Sequence, residues 1–185
     1  MKMLNILFTA FFILVSQLMA QNGPRLSLKA SVSQTIGTDT EITIVYSRPG
    51  VKERTIWGDL VPWGMAPARN ADSKPFPWRA GANENTTIEF SKDVTVEGKD
   101  LPAGKYGLHM LPGEKEFVII FNKVNDSWGS YSYDETKDAL RVTVKPVEAG
   151  YEEWLSYGFD DLSGTSATAY LHWEKKKIPF KIAVK

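Results

Sequence analysis

The sequence contains no cysteine, which limits how the chain is stabilised and attached. No disulfide can hold the fold, so stability has to come from the burial of apolar side chains. A lipid-modified cysteine is also excluded as a membrane anchor, because the chain offers no thiol for it. We therefore expect a fold that rests on a hydrophobic core of ordinary size.

The chain has no excess of charge of either sign. Lysine and arginine number 22, aspartate and glutamate also number 22, and the formal net charge is zero. A short basic run at residues 175–177 lies beside a predicted strand, which indicates a solvated turn. A nucleic-acid-binding surface calls for a clustered basic face, so we predict no nucleic-acid partner.

No apolar run is long enough to cross a bilayer. Residues 1–20 begin with the basic Lys2, continue with a short apolar segment over 6–15 and end on Ala20. This order is typical of a secretory signal peptide, and the apolar segment is well short of the roughly 20 residues that a membrane-spanning helix needs. We predict a signal peptide over 1–20, no transmembrane anchor, and a single exported domain over 21–185 that is periplasmic or extracellular.

The motifs of most catalytic and metal sites are also missing. The two histidines, His109 and His172, have no second ligand at the spacing typical of zinc, and no calcium-loop pattern is present. The sequence has no glycine-rich phosphate loop and no G-x-S-x-G turn. We predict no metal and no cofactor. Enzymatic activity stays uncertain, with a non-enzymatic role favoured.

A period of two replaces helical periodicity along nearly the whole chain. Ile42, Ile44 and Tyr46 alternate with polar neighbours, which is typical of half-buried strands. Residues 117–121 are apolar at every position and indicate a central strand covered on both faces. Pro179 indicates an edge position for the last strand. Glycine and proline turns separate the strands, so we predict an all-β, antiparallel two-sheet β-sandwich, jelly-roll-like in form.

Residues 51–78 form the longest stretch without a convincing strand, and they contain four prolines. A loop of that length in a compact domain is usually functional or disordered. It runs into the turn at residues 78–84, which places a cation, an amide and a carboxylate at the start of a strand. We therefore predict a cleft bounded by this long loop and this turn.

Arg79, Asn83 and Glu84 are the first candidate site residues. Arginine offers a rigid fork of donors, asparagine donates and accepts, and glutamate accepts or acts as an acid or base. Two interpretations stay open: the three side chains bind a polar ligand, or Arg79 pairs with Glu84 and with loop carbonyls to pin the loop.

Aromatic residues extend the candidate site. Their rings could stack on a sugar or another flat ligand, or they could fold the loop onto the sandwich as a lid. Alternation places His109 opposite the face of Tyr106, Leu108 and Met110, where it could shuttle a proton. The aromatic candidates are Trp57, Trp63, Trp78, Tyr131 and Tyr133.

Several ordered segments resemble a bacterial family known as domain of unknown function 2911 (DUF2911). They are YSRPGVK (46–52), RTIWG (54–58), LVPWG (60–64), WRAGANE (78–84), LPAGKYGL (101–108), FNK (121–123), WGSYSY (128–133) and DALRV (138–142). The resemblance implies an exported protein of Bacteroidota-type bacteria, with no established reaction. It also implies that residues 65–77 are an insertion, because the family more often passes almost directly from the Pro-aromatic-Gly turn to the Trp-Arg pair.

Three classes of function follow from these features. The leading interpretation is a binding protein that takes a small polar ligand or glycan near residues 78–84. The second is a hydrolase with Glu84 or His109 as general base, which predicts a perturbed carboxyl or imidazole in the cleft. The third is a structural or envelope interaction protein without a small ligand. The sequence leaves the oligomeric state open.

Overall fold

The computed structural model describes residues 24–185, and the expected signal peptide with its cleavage site lies outside the described residues. Nearly all regular structure in this range is β-strand, as the alternation predicts. The strands are β1 (Leu28–Ile36), β2 (Thr40–Arg48), β3 (Thr87–Phe90), β4 (Val94–Val96), β5 (Lys99–Leu101), β6 (Gly104–Leu111), β7 (Phe117–Asn122), β8 (Asp138–Val144), β9 (Val147–Asp160) and β10 (Ser166–Val184), with a 3₁₀ turn at Glu135–Lys137.

The strands form two antiparallel sheets, which confirms the predicted β-sandwich. One sheet has six strands in the order β1-β2-β3-β6-β7-β8, and the other has four in the order β5-β4-β10-β9. No helix within residues 24–185 is long and apolar enough to span a bilayer.

The core lies between the two sheets and follows from the period of two. Ile42, Ile44 and Tyr46 are buried on the inner face of β2, while the residues between them are less buried. β7 lies between β6 and β8, and both Ile119 and Ile120 are fully buried although they point to opposite faces. The prediction of a central strand covered on both sides is therefore confirmed.

The edge position predicted from Pro179 is wrong. β10 lies between β4 and β9, so it is an inner strand of its sheet. Its pairing with β9 runs as far as Lys177, and its pairing with β4 starts at Ile182. Pro179 falls in the interval between these two partners, where the ladder needs no N–H donor.

The long loop contains no strand, as predicted, and isolated bridges and single backbone hydrogen bonds tie it to itself and to the sheets. Ala66 and Phe76 pair with each other, so the predicted insertion forms an arm with its two ends close together. Trp78 pairs with Met110 on β6, which fixes the end of the loop to the six-stranded sheet.

Candidate functional site

A cavity of about 660 Å³ lies between the long loop and the turn at residues 78–84. Residues 49–50 just after β2, the arm and the segment before β1 complete its walls. This volume falls within the usual range for small-molecule sites, roughly 300 to 1,000 Å³. The predicted cleft therefore exists as a concave space at the predicted place.

Two stacked indoles contribute to the lining of this cavity. Trp78 and Trp173 lie nearly parallel, at 14° and 6.1 Å between ring centres. The ring of Trp57 meets Trp78 edge-on at 5.7 Å and Phe117 at 5.5 Å, so Trp57 supports the stack without lining the cavity. Its buried Nε1 has no hydrogen-bond partner within residues 24–185. Trp57 thus acts as core, whereas Trp78 presents a ring to the cavity.

The turn that follows Trp78 has an unusual backbone. Ala80 and Asn83 both have positive φ, at 51° and 61°. Asparagine tolerates this conformation, but alanine rarely adopts it, and the surrounding structure must hold it there. The buried carbonyl of Ala80 accepts hydrogen bonds from the Tyr157 hydroxyl at 2.8 Å and from the Thr86 hydroxyl at 3.2 Å. These bonds fix the turn that directs Arg79 and Asn83 to the cavity.

Arg79 is held by two contacts at the cavity wall. Its Nη1 donates to the carbonyl oxygen of Asn83 at 2.6 Å, and its guanidinium lies 4.6 Å from the ring centre of Tyr131. Gly129 allows this position, because a Cβ there would lie 2.3 Å from Cζ of Arg79. The Asn83 amide donates to the Ser27 carbonyl at 3.2 Å, which ties the turn to the segment before β1.

The arm brings a second arginine to the same ring. The guanidinium of Arg69 lies 4.3 Å from the ring centre of Tyr131, and Phe76 meets that ring edge-on at 5.1 Å. Sequence reasoning missed Arg69, and it also missed Trp173 as a lining residue. The only sequence signal for Arg69 is its place in a loop predicted to be functional, since periodicity says nothing about side chains outside strands.

The family model described as protein of unknown function (DUF2911) matches residues 27–182. The chain belongs to the DUF2911 family. The match confirms the resemblance seen in the ordered segments, and the matched range runs from just before β1 into β10 and includes the long loop. Comparisons with curated proteins and with solved structures gave no match.

Glu84 of this DUF2911 protein does not line the cavity with Arg79. It turns toward a neighbouring smaller cavity of about 340 Å³, and its Oε2 accepts from Nη2 of Arg25 at 2.5 Å. The Arg25 guanidinium holds the pKa of the Glu84 carboxyl below its usual value. The alternative that Arg79 pins the loop is therefore confirmed in part, because Arg79 donates to a loop carbonyl. The predicted pairing with Glu84 is wrong, because Glu84 forms its salt bridge with Arg25.

His109 lies under a separate network outside the cavity. The imidazole is 3% exposed, and its Nδ1 is 2.7 Å from the hydroxyl oxygen of Ser130. Burial lowers the pKa of His109 to about 4, so the ring is neutral at ordinary pH. The ring of Tyr133 covers it at 5.4 Å between ring centres.

Tyr133 is anchored beside His109 rather than in the cavity. Its hydroxyl donates to Oδ2 of Asp138 at 2.6 Å and accepts from Nη2 of Arg141 at 2.7 Å. Burial and the neighbouring Asp138 raise the pKa of this phenol. The network holds the segment that carries Tyr131, so Tyr133 and His109 position the site without lining it.

The nine predicted site residues therefore divide into two groups. Trp78, Arg79, Asn83 and Tyr131 line the cavity; Trp57, Trp63, Glu84, His109 and Tyr133 do not. The ring of Trp63 instead lies against Gly58, whose added Cβ would be 2.6 Å from the indole Nε1. Residues 24–185 contain no group of three or more His, Cys, Asp or Glu side chains placed to hold a metal ion.

Proposed function

We propose that this DUF2911 protein binds a small polar ligand or glycan in the cavity between the long loop and the turn at residues 78–84. The observation that carries the proposal is the combination of aromatic rings and arginines around one concave space of suitable volume. Trp78 offers a ring for stacking, and Arg79 and Asn83 offer polar groups. Tyr131 holds the guanidinium groups of Arg69 and Arg79 beside the cavity.

Two observations favour binding over the alternative hydrolase. A general base works best with a pKa near the working pH, and the pKa values of Glu84 and His109 both lie below their usual ranges. Neither side chain lines the cavity. The remaining alternative, a structural or envelope protein without a small ligand, accounts for Arg54 and Arg79, which bond loop carbonyls, but gives no role to Arg69, which makes no hydrogen bond within residues 24–185.

The proposal is tested by thermal unfolding of the purified protein against a panel of glycans, peptides, nucleotides and divalent metals. A ligand at about 100 times its dissociation constant stabilises the native state by roughly 2.7 kcal/mol, which shifts the midpoint visibly. We expect Arg79→Ala to lose that shift. Glu84→Ala is the matched control and keeps it, because Glu84 faces the neighbouring cavity.

The outcome that contradicts the proposal is the absence of any shift across the panel together with strong destabilisation of Arg79→Ala. Arg79 would then be a purely structural residue. A shift that survives in Arg79→Ala but disappears in Glu84→Ala would move the site to the smaller cavity.

We also propose that the protein acts outside the cytoplasm, in a periplasm or beyond the cell, because residues 1–20 have the order of a signal peptide. The N-terminal sequence of the exported form tests this, and we expect it to begin at Gln21. Recovery of the uncleaved chain from the cytoplasm would contradict it.

A further inference from the structure

The cavity is cationic although the whole chain is neutral. Four basic side chains line it, and Asp59 is the carboxylate that accompanies them. Within residues 24–185, none of the four forms a salt bridge with an aspartate or glutamate. The four are Lys52, Arg54, Arg69 and Arg79.

The donors of these side chains are used to different degrees. Arg54 donates to the carbonyls of Val51 and Gly50 at 3.0 and 2.6 Å, which leaves it largely occupied. Arg79 makes one such bond, through Nη1, to a carbonyl oxygen. In the part of the chain that the structure describes, the guanidinium of Arg69 makes no hydrogen bond and lies only over the Tyr131 ring. Arg69 and Arg79 therefore keep donors for a ligand.

The Tyr131 ring brings these two guanidinium groups together. Each lies less than 5 Å from the same ring centre, so the two Cζ atoms are at most about 9 Å apart. A guanidinium stacked on an aromatic face keeps its in-plane N–H donors available, and those donors match the paired oxygens of carboxylate and phosphate. Two positive groups at this separation, without a carboxylate partner of their own, favour an anion beside them.

We propose that the ligand of this cavity carries an oxyanion, such as a carboxylate, phosphate or sulfate ester, bound by Arg69 and Arg79. A ring attached to the oxyanion lies against Trp78. This inference rests on the proposed function and names the chemical class of its ligand. The arm gives this chain the second arginine, since Arg69 lies between Ala66 and Phe76 where the arm pairs with itself.

The test uses a matched pair of probes, 4-nitrophenyl β-glucuronide and 4-nitrophenyl β-glucoside, which differ by a carboxylate in place of a hydroxymethyl group. Binding to the full chain is measured by calorimetry at low and high salt. We expect the glucuronide to bind at least about tenfold more tightly at low salt, with the preference shrinking as salt screens the charges. Inorganic phosphate should compete with it.

Variants show which side chains cause the preference for the glucuronide over the glucoside. We expect Arg69→Gln to reduce the glucuronide preference several-fold while leaving the thermal midpoint nearly unchanged, because Arg69 is exposed and makes no hydrogen bond within residues 24–185. Lys115→Gln removes the same charge from an exposed turn outside the cavity and is the matched control. Arg79→Lys keeps the charge but loses the forked pair of donors. We expect it to lose part of the preference for the glucuronide over the glucoside.

Equal binding of the two probes, or a preference that Arg69→Gln leaves intact, would overturn the inference. Neutral glycans could raise the thermal midpoint in the unmodified protein but not in Arg79→Ala, while the glucuronide binds no more tightly than the glucoside. In that case the proposed function stands and the inference of an anionic ligand fails. If no probe, charged or neutral, binds at all, both fail.

Discussion

At the scale of single residues, Gly129 controls the position of Arg79. Its φ is +67°, and an added Cβ would lie 2.4 Å from Nη1 of the arginine. A side chain there has to displace the guanidinium from the Tyr131 ring. The glycine therefore contributes to the site although it offers no functional group.

We expect Gly129→Ala to destabilise the protein and to weaken ligand binding. The positive φ alone costs about 1–2 kcal/mol for an alanine. Gly98→Ala is the matched control, because Gly98 has a φ of +74° with no atom within 4 Å of its Cβ position. Urea unfolding should show the larger loss of unfolding free energy in Gly129→Ala. Calorimetry should show weaker binding of 4-nitrophenyl β-glucuronide in that variant alone. Equal losses with unchanged binding would contradict this role.

His109 makes the stability of the protein depend on pH. Its pKa is about 4 when folded and about 6.5 when unfolded, so the unfolded state binds more protons between these values. Stability therefore falls as pH falls, by about 1.5 kcal/mol between pH 6.5 and 5 from this residue. Urea unfolding at the two pH values measures it.

The variant His109→Gln should lack this part of the pH dependence, while His172→Gln should keep it. Carboxylates titrate in the unmodified protein and in both variants. The difference between the slopes of unfolding free energy against pH therefore isolates the contribution of the His109 imidazole. Identical slopes in all three proteins would mean that His109 is not held neutral by burial.

Sequence reasoning located the cavity better than it identified the residues that line it. Alternation correctly placed His109 on the face of β6 opposite the core. It gave no information on which residues cover that outer face. Asn83 and Glu84 are neighbours in sequence, yet they turn to different cavities. The turn that carries them has a positive φ at Asn83, which the alternation of residue types does not predict.

At the scale of elements, the arm is an addition to the sandwich rather than part of it. The N–H of Gly64 donates to the Pro112 carbonyl at 2.7 Å, and Trp78 exchanges two hydrogen bonds with Met110. Both ends of the arm are therefore fixed near the end of β6. Most of the residues between these ends are exposed.

We expect that replacing residues 66–76 with two glycines leaves the fold intact and removes most of the ligand affinity. The thermal midpoint should change little, because the arm buries few side chains in the core. Calorimetry with 4-nitrophenyl β-glucuronide should show at least a tenfold loss, since Arg69 and Phe76 leave with the arm. Full affinity in the shortened protein would contradict a role of the arm in binding.

Element types followed from the sequence, whereas the positions of strands within the sheets did not. The period of two identifies a strand and its buried face, because it depends only on local geometry. Pairing depends on partners far away in the chain, so the last strand could be recognised but was placed at an edge. The proline rule failed there because β10 changes partners at Pro179. The turn predicted at residues 175–177 is also wrong, because these residues lie within β10, where Lys176 and Lys177 pair with β9.

At the scale of the whole molecule, the two sheets supply a rigid frame, and the long loop builds the cavity on it. The frame needs no disulfide, because side chains such as Phe121, Phe180 and Trp173 are almost fully buried between the sheets. The whole chain has no net charge, yet four basic side chains cluster at the cavity, so composition alone does not reveal them. Only the folded chain brings Arg69 and Arg79 together.

The most direct test of the account is an NMR titration of the tryptophan indole N–H signals with 4-nitrophenyl β-glucuronide. The six indoles are spread over the molecule, so they report where a ligand binds. We expect the signals of Trp78 and Trp173 to shift with a common dissociation constant, while those of Trp128 and Trp154, which lie outside the cavity, stay in place. Shifts confined to Trp128 or Trp154 would contradict the claim that this cavity is the binding site, and no shift at any indole would contradict the claim that it binds this anionic ligand.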